Sequence, residues 1–224
     1  MRSERHEYVP RKLTIAALAL AASLGTAPAF TAQAADANAV AAQTAQPAGV
    51  DKRLHAGLIK RLTEALSHPA VLMTLESRNK AAGDVSQDEI DALDKQWRAE
   101  TKSEDQPLIT AVLTGPLSGY LLQMQAGSLG LYSEIFVMDA NGLNAGQSAI
   151  TSDYWQGDEG KFQKTYDVGA GAIFIDDAEF HEGTGTWRQQ VNMSITNDQG
   201  ELTGAATIEI NLDELARRRS LGII

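Results

Sequence analysis

Leu54, Leu58, Leu62 and Leu66 recur at every fourth position, with Ile59 and Ala65 widening the apolar stripe while Lys52, Arg53, Lys60, Arg61 and Glu64 lie mostly off it. That spacing predicts an amphipathic helix beginning near Val50. His68-Pro69 bends or breaks it, because proline lacks a backbone donor and disfavours a helical residue before it. Val71, Leu72 and Leu75 resume the pattern as far as Arg78-Asn79. A second helix starts at Ser86, whose spacing to Glu89 forms a capping box in which hydroxyl and carboxylate each satisfy a free backbone donor. Ile90, Leu93 and Trp97 follow at helical spacing. The apolar stretch Leu108 to Leu122 is interrupted at Gly115-Pro116 and reads as helix, turn and short helix.

After Gly130 the period changes. Tyr132 to Met138 is a β-rich run that ends in Asp139-Ala140-Asn141-Gly142, a tight-turn sequence in which Asn and Gly tolerate positive φ. A short strand follows around Leu143 to Ser148, then a helical stretch from Asp158 to Tyr166, then a strand from Ala172 to Ile175. Trp187 to Thr196 alternates strictly, with Trp187, Gln189, Val191, Met193 and Ile195 on one face and Arg188, Gln190, Asn192, Ser194 and Thr196 on the other. Asn197-Asp198-Gln199-Gly200 is a second hairpin turn. Leu202 to Leu212 is the fifth strand, and Asp213 caps a short basic tail from Glu214 to Arg219. Helices first and then five strands, with one helix inserted, predict an α+β domain with an antiparallel sheet.

The leading residues speak to location. Arg2, Arg5, Arg11 and Lys12 precede an uncharged Leu/Ala-rich run from Leu13 to Leu24, followed by a proline-containing stretch and Ala32-Gln33-Ala34. This is the order of a secretory signal peptide, with cleavage expected before Ala35 and Ala27-Pro28-Ala29 as the alternative site. The apolar run is shorter than the roughly 20 residues that span a bilayer. The expected organisation is therefore a signal peptide over 1–34, a disordered lead-in over 35–49, one ligand-binding domain over 50–219 and a tail over 220–224. The chain has no cysteine, so no disulfide staples an exported domain and no lipidated N-terminal Cys tethers it. Its net charge of −10 argues against nucleic acid and against anionic membrane surfaces, which call for cationic patches.

The broken N-terminal helix with His68-Pro69-Ala70-Val71 and Arg78-Asn79 resembles the entry to an extracytoplasmic Cache (PDC) sensor domain. Glu134-Ile135-Phe136-Val137-Met138-Asp139-Ala140-Asn141-Gly142, the helix after Ser152-Asp153-Tyr154-Trp155, the Ile173-Phe174-Ile175 strand and the Asp198-Gln199-Gly200 hairpin resemble its PAS-like half. The resemblance covers roughly Val50 to Leu215. It implies a PAS-like five-stranded sheet with the long helix packed on one face and a small-molecule pocket on the other. It also implies signalling across a membrane. No second hydrophobic span and no cytosolic module follow here, so the expected role is an exported small-molecule binder that works with a membrane receptor or kinase partner; the alternative is a protein-interaction module with a vestigial pocket.

Candidate binding residues fall into three groups. Asp153, Tyr154 and Trp155 place two aromatic rings beside an acid, a combination that can hold a cationic or zwitterionic head group through ring quadrupole and carboxylate; the alternative is a solvated turn with Trp155 as a lid over the core. Arg188 and Gln190 share a strand face and could receive a carboxylate or amide, Arg with a forked pair of donors, or they face water on a half-exposed sheet; Trp187 faces the other way. Asp176 and Asp177 close the third strand, where the resemblance implies an acid able to bind a ligand ammonium. Together these residues suit an amino acid or an organic acid. No cofactor is expected. Asp139, Asn141 and Asn144 superficially resemble a calcium loop, but the spacing does not match an EF-hand and no bidentate Glu closes it. His55, His68 and His181 lack ligand spacing, and Ser118 and Ser128 lack a nucleophile-elbow context, so catalysis has no positive support.

Overall fold

The computed structural model describes residues 56–83 and 85–223 of the 224-residue chain. The expected signal peptide, the lead-in and the start of the first helix at Val50 lie outside the described residues. Helix α1 (Ala56–Leu66) and helix α2 (Pro69–Ala82) are separated at His68, whose ring accepts a hydrogen bond from Ala70 N as the cap of α2 and whose successor Pro69 occupies the first helical turn. The proline therefore breaks the helix and also starts the next one, since its missing N–H would be unsatisfied there anyway. Helix α3 (Gln87–Glu100) begins with the capping box expected at Ser86 and Glu89. Of the two helices that follow, α4 (Pro107–Leu113) is the short one and α5 (Pro116–Gly127) the longer, the reverse of the expected order. The apolar stripe continues past Leu122 through Met124, which packs against the core.

The strands are β1 (Tyr132–Met138), β2 (Asn144–Gln147), β3 (Ile173–Ile175), β4 (Glu179–His181), β5 (Thr186–Thr196) and β6 (Leu202–Asn211). They form one antiparallel sheet in the order β2-β1-β6-β5-β3, with β4 also paired to β5. Residues 191–193 of β5 pair with β3 and residues 186–188 with β4, so the two short strands lie end to end along one edge. The sheet thus has six strands in five lateral positions. Strand β4 was not foreseen, because Glu179-Phe180-His181 is too short and too polar to show a period. The segment from Asp158 to Tyr166 is helical only over α6 (Gly160–Gln163) and otherwise turns. The last helix, α7 (Leu212–Ser220), is capped by Asn211, whose side chain accepts from the backbone of Asp213 and Glu214. Asp213, expected as the cap, instead accepts from Trp187 N at 2.8 Å.

The sheet has two unlike faces. On the inner face Ile135, Val137, Val191, Met193, Ile195, Ala206, Ile208 and Ile210 pack against Leu58, Leu62 and Leu66 of α1, Val71 and Leu75 of α2, and Leu117 and Leu121 of α5. Each fully buried leucine there contributes about 2 kcal/mol. Helix α5 approaches β2 so closely that a Cβ on Gly146 would sit 2.5 Å from Leu117 Cγ. A satellite core joins α3 to α4: Trp97, wholly buried, stacks on Tyr154 with ring centroids 5.1 Å apart and donates to Thr151 O. The outer face carries a small apolar cluster of Phe136, Met138, Ala205 and Phe162 at one end. At the other end it is polar.

Candidate functional site

The polar half of the outer face is built by strand register. Glu134 of β1 pairs with Glu209 of β6, which in turn pairs with Gln190 of β5, so all three side chains project from the same side. Arg188, two residues before Gln190, shares that side and reaches Glu209, with Nη1 2.7 Å from Oε1. Beneath α6 and beside the edge strands Arg188, Gln190 and Glu209 line a cleft of about 290 Å³, together with Glu159, Lys161, Asp176, Asp177 and Glu179, and Glu134 adjoins it through its pairing with Glu209. Deeper along the same face Asn192 and Thr207 are buried and bonded to each other at 2.8 Å. The cleft lies opposite the helices, on the side where the Cache resemblance places a pocket.

Charge in the cleft is one-sided. Its two cations are each held by a carboxylate of the same cleft: Arg188 by Glu209, and Lys161 by Glu159 at 2.8 Å. Asp176, Asp177 and Glu179 add three further carboxylates. Glu134 registers the same excess. Burial, and then the facing Glu209 carboxylate, push its pKa up to about 7, with Asp153 adding to the push and Lys161 and Arg188 pulling against it. Burial disfavours the charged carboxylate and a like charge disfavours it further.

The structure divides the sequence-derived residues among three places. Asp176, Arg188 and Gln190 line the cleft. Trp187 is on the inner face, packed against the main core and tilted against Phe180 at 5.7 Å between centroids. Asp153, Tyr154 and Trp155 sit under α3 instead. Asp94 Oδ1 accepts from both Tyr154 N and Trp155 N, Arg98 pairs with Asp94 at 2.6 Å and with Asp153 at 3.3 Å, and Trp155 Nε1 donates to Asn141 O. Tyr154 is buried, with its hydroxyl bonded to Arg78 Nη2 at 3.0 Å. The fold does not bring Tyr154 and Trp155 together with Arg188 on one cavity: a loop that reads as a ligand wall is pinned to helix α3, from which four elements separate it in the chain.

No protein-family model matches the chain, and no curated protein matches it. Among solved structures it is similar to the ligand-binding domain of the Pseudomonas aeruginosa PAO1 amino acid chemoreceptor PctC in complex with GABA, at 16% identity and a TM-score of 0.36, over 71% of this chain and 60% of that one. It is similar to the ligand-binding domain of the Campylobacter jejuni chemoreceptor Tlp3 in complex with 4-methylisoleucine, at 16% identity and a TM-score of 0.35, over 70% of this chain and 60% of that one. A third similarity, at 10% identity and a TM-score of 0.35, is to an extracellular ligand binding receptor from Desulfohalobium retbaense DSM5692, over 67% of this chain and 26% of that one. The chain therefore spans from about a quarter to three fifths of the length of these proteins.

Sequence reasoning missed Glu209 and Glu179, which line the cleft, and Glu134, which pairs with Glu209 beside it. Alternation along Leu202 to Leu212 could have found the first, since Glu209 falls between Ile208 and Ile210 and must face away from them. The other candidate chemistry is used up locally. Ser118 Oγ donates to Val112 O and accepts from Gln147 N, and Ser128 Oγ accepts from Tyr132 N. Asp139 Oδ1 accepts from Asn141 N and Leu143 N, closing the β1–β2 turn, while its Oδ2 takes two bonds from Arg78. His68 stacks on Tyr120 and His181 contacts Thr184. His55 lies outside the described residues. Among the described residues, no group of His, Asp and Glu is placed to hold a metal ion.

Proposed function

We propose that this protein is an exported, extracytoplasmic sensor-type domain that binds a small ammonium-bearing ligand in the outer-face cleft and acts through a membrane partner. One observation carries the reading of the ligand: both cations of the cleft are already neutralised by Glu209 and Glu159, while Asp176 and Glu179 still offer carboxylates to a positive charge. A ligand carboxylate entering the cleft would have to displace one of those acids from its partner, whereas an ammonium group meets acceptors without breaking a pair. Asp176 is the acid we assign to the ammonium, with Gln190 as a neutral hydrogen-bond partner. An amino acid then binds chiefly through its amino end, and a simple organic acid does not bind. The role is binding rather than catalysis, consistent with hydroxyls that are engaged in backbone hydrogen bonds. The leader-like order of residues 1–34 supports export.

A thermal-shift and calorimetric series of mono- and diamines, amino acids and organic acids tests this. An amine at 100 times its dissociation constant should add about 2.7 kcal/mol to stability, and Asp176→Asn should weaken it more than tenfold. Binding restricted to organic acids would overturn the reading, and so would the absence of any ligand, which would favour the interaction-module alternative.

A further inference from the structure

Strand β3 leaves one edge of the sheet open. It stands last in the order β2-β1-β6-β5-β3, so β5 alone pairs with it. The ladder fixes which backbone groups that pairing uses. Asp176 N donates to Gln190 O and Ser194 N donates to Ala172 O, which makes 172–194, 174–192 and 176–190 the hydrogen-bonded pairs of an antiparallel ladder. Ile173 and Ile175 alternate with these pairs and turn their backbone N–H and C=O outward. None of those four groups has a hydrogen-bond partner among the described residues.

The side chains of this edge are apolar. Ile173 pairs with Met193 and Ile175 with Val191, both inner-face residues, so the two isoleucines lie on the inner face. Ile175 packs against the main core, whereas Ile173 is 46% exposed. Phe174 takes the outer face, with Lys164 Nζ 4.0 Å from its ring centroid. Open edges are commonly guarded by a charged residue or a proline within the strand, or by a bulge. Ile173-Phe174-Ile175 has none of these.

We propose that β3 is the interface at which a second copy of this chain pairs, antiparallel about a two-fold axis at Phe174, so that two sheets become one. In that register Ile173 of each copy exchanges both backbone hydrogen bonds with Ile175 of the other, and all four outward groups of both edges are used. Centring the axis on Ile173 would oppose Ile175 to Gly171, which at a φ of 77° has left the strand. Centring it on Ile175 would oppose Phe174 to Asp176. Charge agrees with the Phe174 register, which sets Asp176 opposite Ala172 and Asp177 opposite Gly171, so that no acid faces an acid. On the inner face the isoleucine contacts carry the core of one copy into the next. On the outer face the two Phe174 rings meet at a closely spaced, non-hydrogen-bonded pair. The strand matches itself, which selects a second copy over an unrelated strand. The pairing rests on this edge and not on the ligand of the cleft.

Such an interface is small, at the weak end for protein pairs, and two copies of net charge −10 repel. Dimerisation should therefore depend on concentration and strengthen as salt screens the repulsion. Sedimentation equilibrium of the full chain from about 5 µM to about 0.5 mM, at low and high salt, reads this. Ile173→Pro removes an outward N–H and leaves the bonds of β3 to β5 in place. It should weaken dimerisation by more than about tenfold, with the melting temperature in dilute solution little changed. Ile173→Lys keeps the N–H but carries a charge into the interface, and should weaken the dimer as well. The chain has no cysteine, so Phe174→Cys places a single thiol at the axis. Cα atoms of a non-hydrogen-bonded pair lie about 4.5 Å apart, within disulfide reach. Mild oxidation should link the copies through Phe174→Cys, and far less through Ser220→Cys at an exposed position of α7. A monomer at every concentration, a dimer indifferent to both Ile173 variants, or equal linkage by the two cysteine variants would overturn the proposal. A strand of a different protein as the true occupant would give the first of these results.

Discussion

Arg188 on β5 and Glu209 on β6 are paired diagonally across the ladder, Nη1 to Oε1 at 2.7 Å, within the cleft they both line. An arginine that a sequence offers as the receptor for a ligand carboxylate is thereby committed to an internal one. The pair is only partly exposed, so it is worth more than a surface ion pair yet still accessible to an entering charge.

That pairing gives a test whose sign distinguishes ligand classes. Arg188→Gln frees Glu209 to face the ligand. For an ammonium ligand, affinity measured by calorimetry should rise by about tenfold, or ~1.4 kcal/mol. A ligand held by its carboxylate would instead bind more weakly in the variant, and that result would remove the charge argument for the cleft.

Glu134 makes stability depend on pH, and the proposed amine binding should depend on it too. Its folded pKa of about 7 lies above the usual carboxylate value of 4.5, so its contribution to stability is full below about pH 4.5 and is lost as pH rises through 7. Glu134→Gln should therefore be more stable than the parent at pH 8, by about 2 kcal/mol, and no more stable at pH 4, as read from denaturant midpoints. A cationic ligand favours the ionised form, so amine affinity should rise between pH 6 and 8 and lose much of that slope in the variant.

The sheet register is checked by two substitutions on opposite faces. Val191 is completely buried among Leu, Ile and Met side chains, and Val191→Asp would place an unpaired carboxylate there at a cost of several kcal/mol. Ser194 points to the outer face and is only partly buried, with its hydroxyl bonded to Ala172 N. Ser194→Asp should cost about 1 kcal/mol, the worth of that bond. Similar losses in chemical denaturation would mean the two residues share a face.

Leu129→Gly should stabilise the domain by about 1 kcal/mol, because glycine adopts the left-handed backbone without the Cβ penalty and no buried contact is given up. A lower melting temperature would show that the Leu129 side chain supports the corner and is not spare.

The linear pattern alone determined the elements whose periods are long and uninterrupted: the leucine stripe of α1, the Ser86–Glu89 capping box, β1 with its Asp-Ala-Asn-Gly turn, and the alternation of β5 that separates Val191 from Arg188 and Gln190. Those signals are local, because helix and strand geometry sort side chains by their spacing along the chain. Elements held by distant partners left no such mark. Strand β4 exists because Thr186–Arg188 offers it a ladder, and α7 takes its cap from Asn211 although Asp213 stood equally well placed in the sequence. The site divides in the same way. That Arg188 and Gln190 share a face was legible from period two; that Arg188 is occupied by Glu209, that Glu134 lies across from it, and that Asp94 draws Tyr154 and Trp155 away were decided when strands and helices far apart in the chain met. Charge followed the same rule, since a sum over the chain gives −10 while only the fold pairs Arg188 with Glu209 and Lys161 with Glu159 and sets Asp176 and Glu179 along the same cleft.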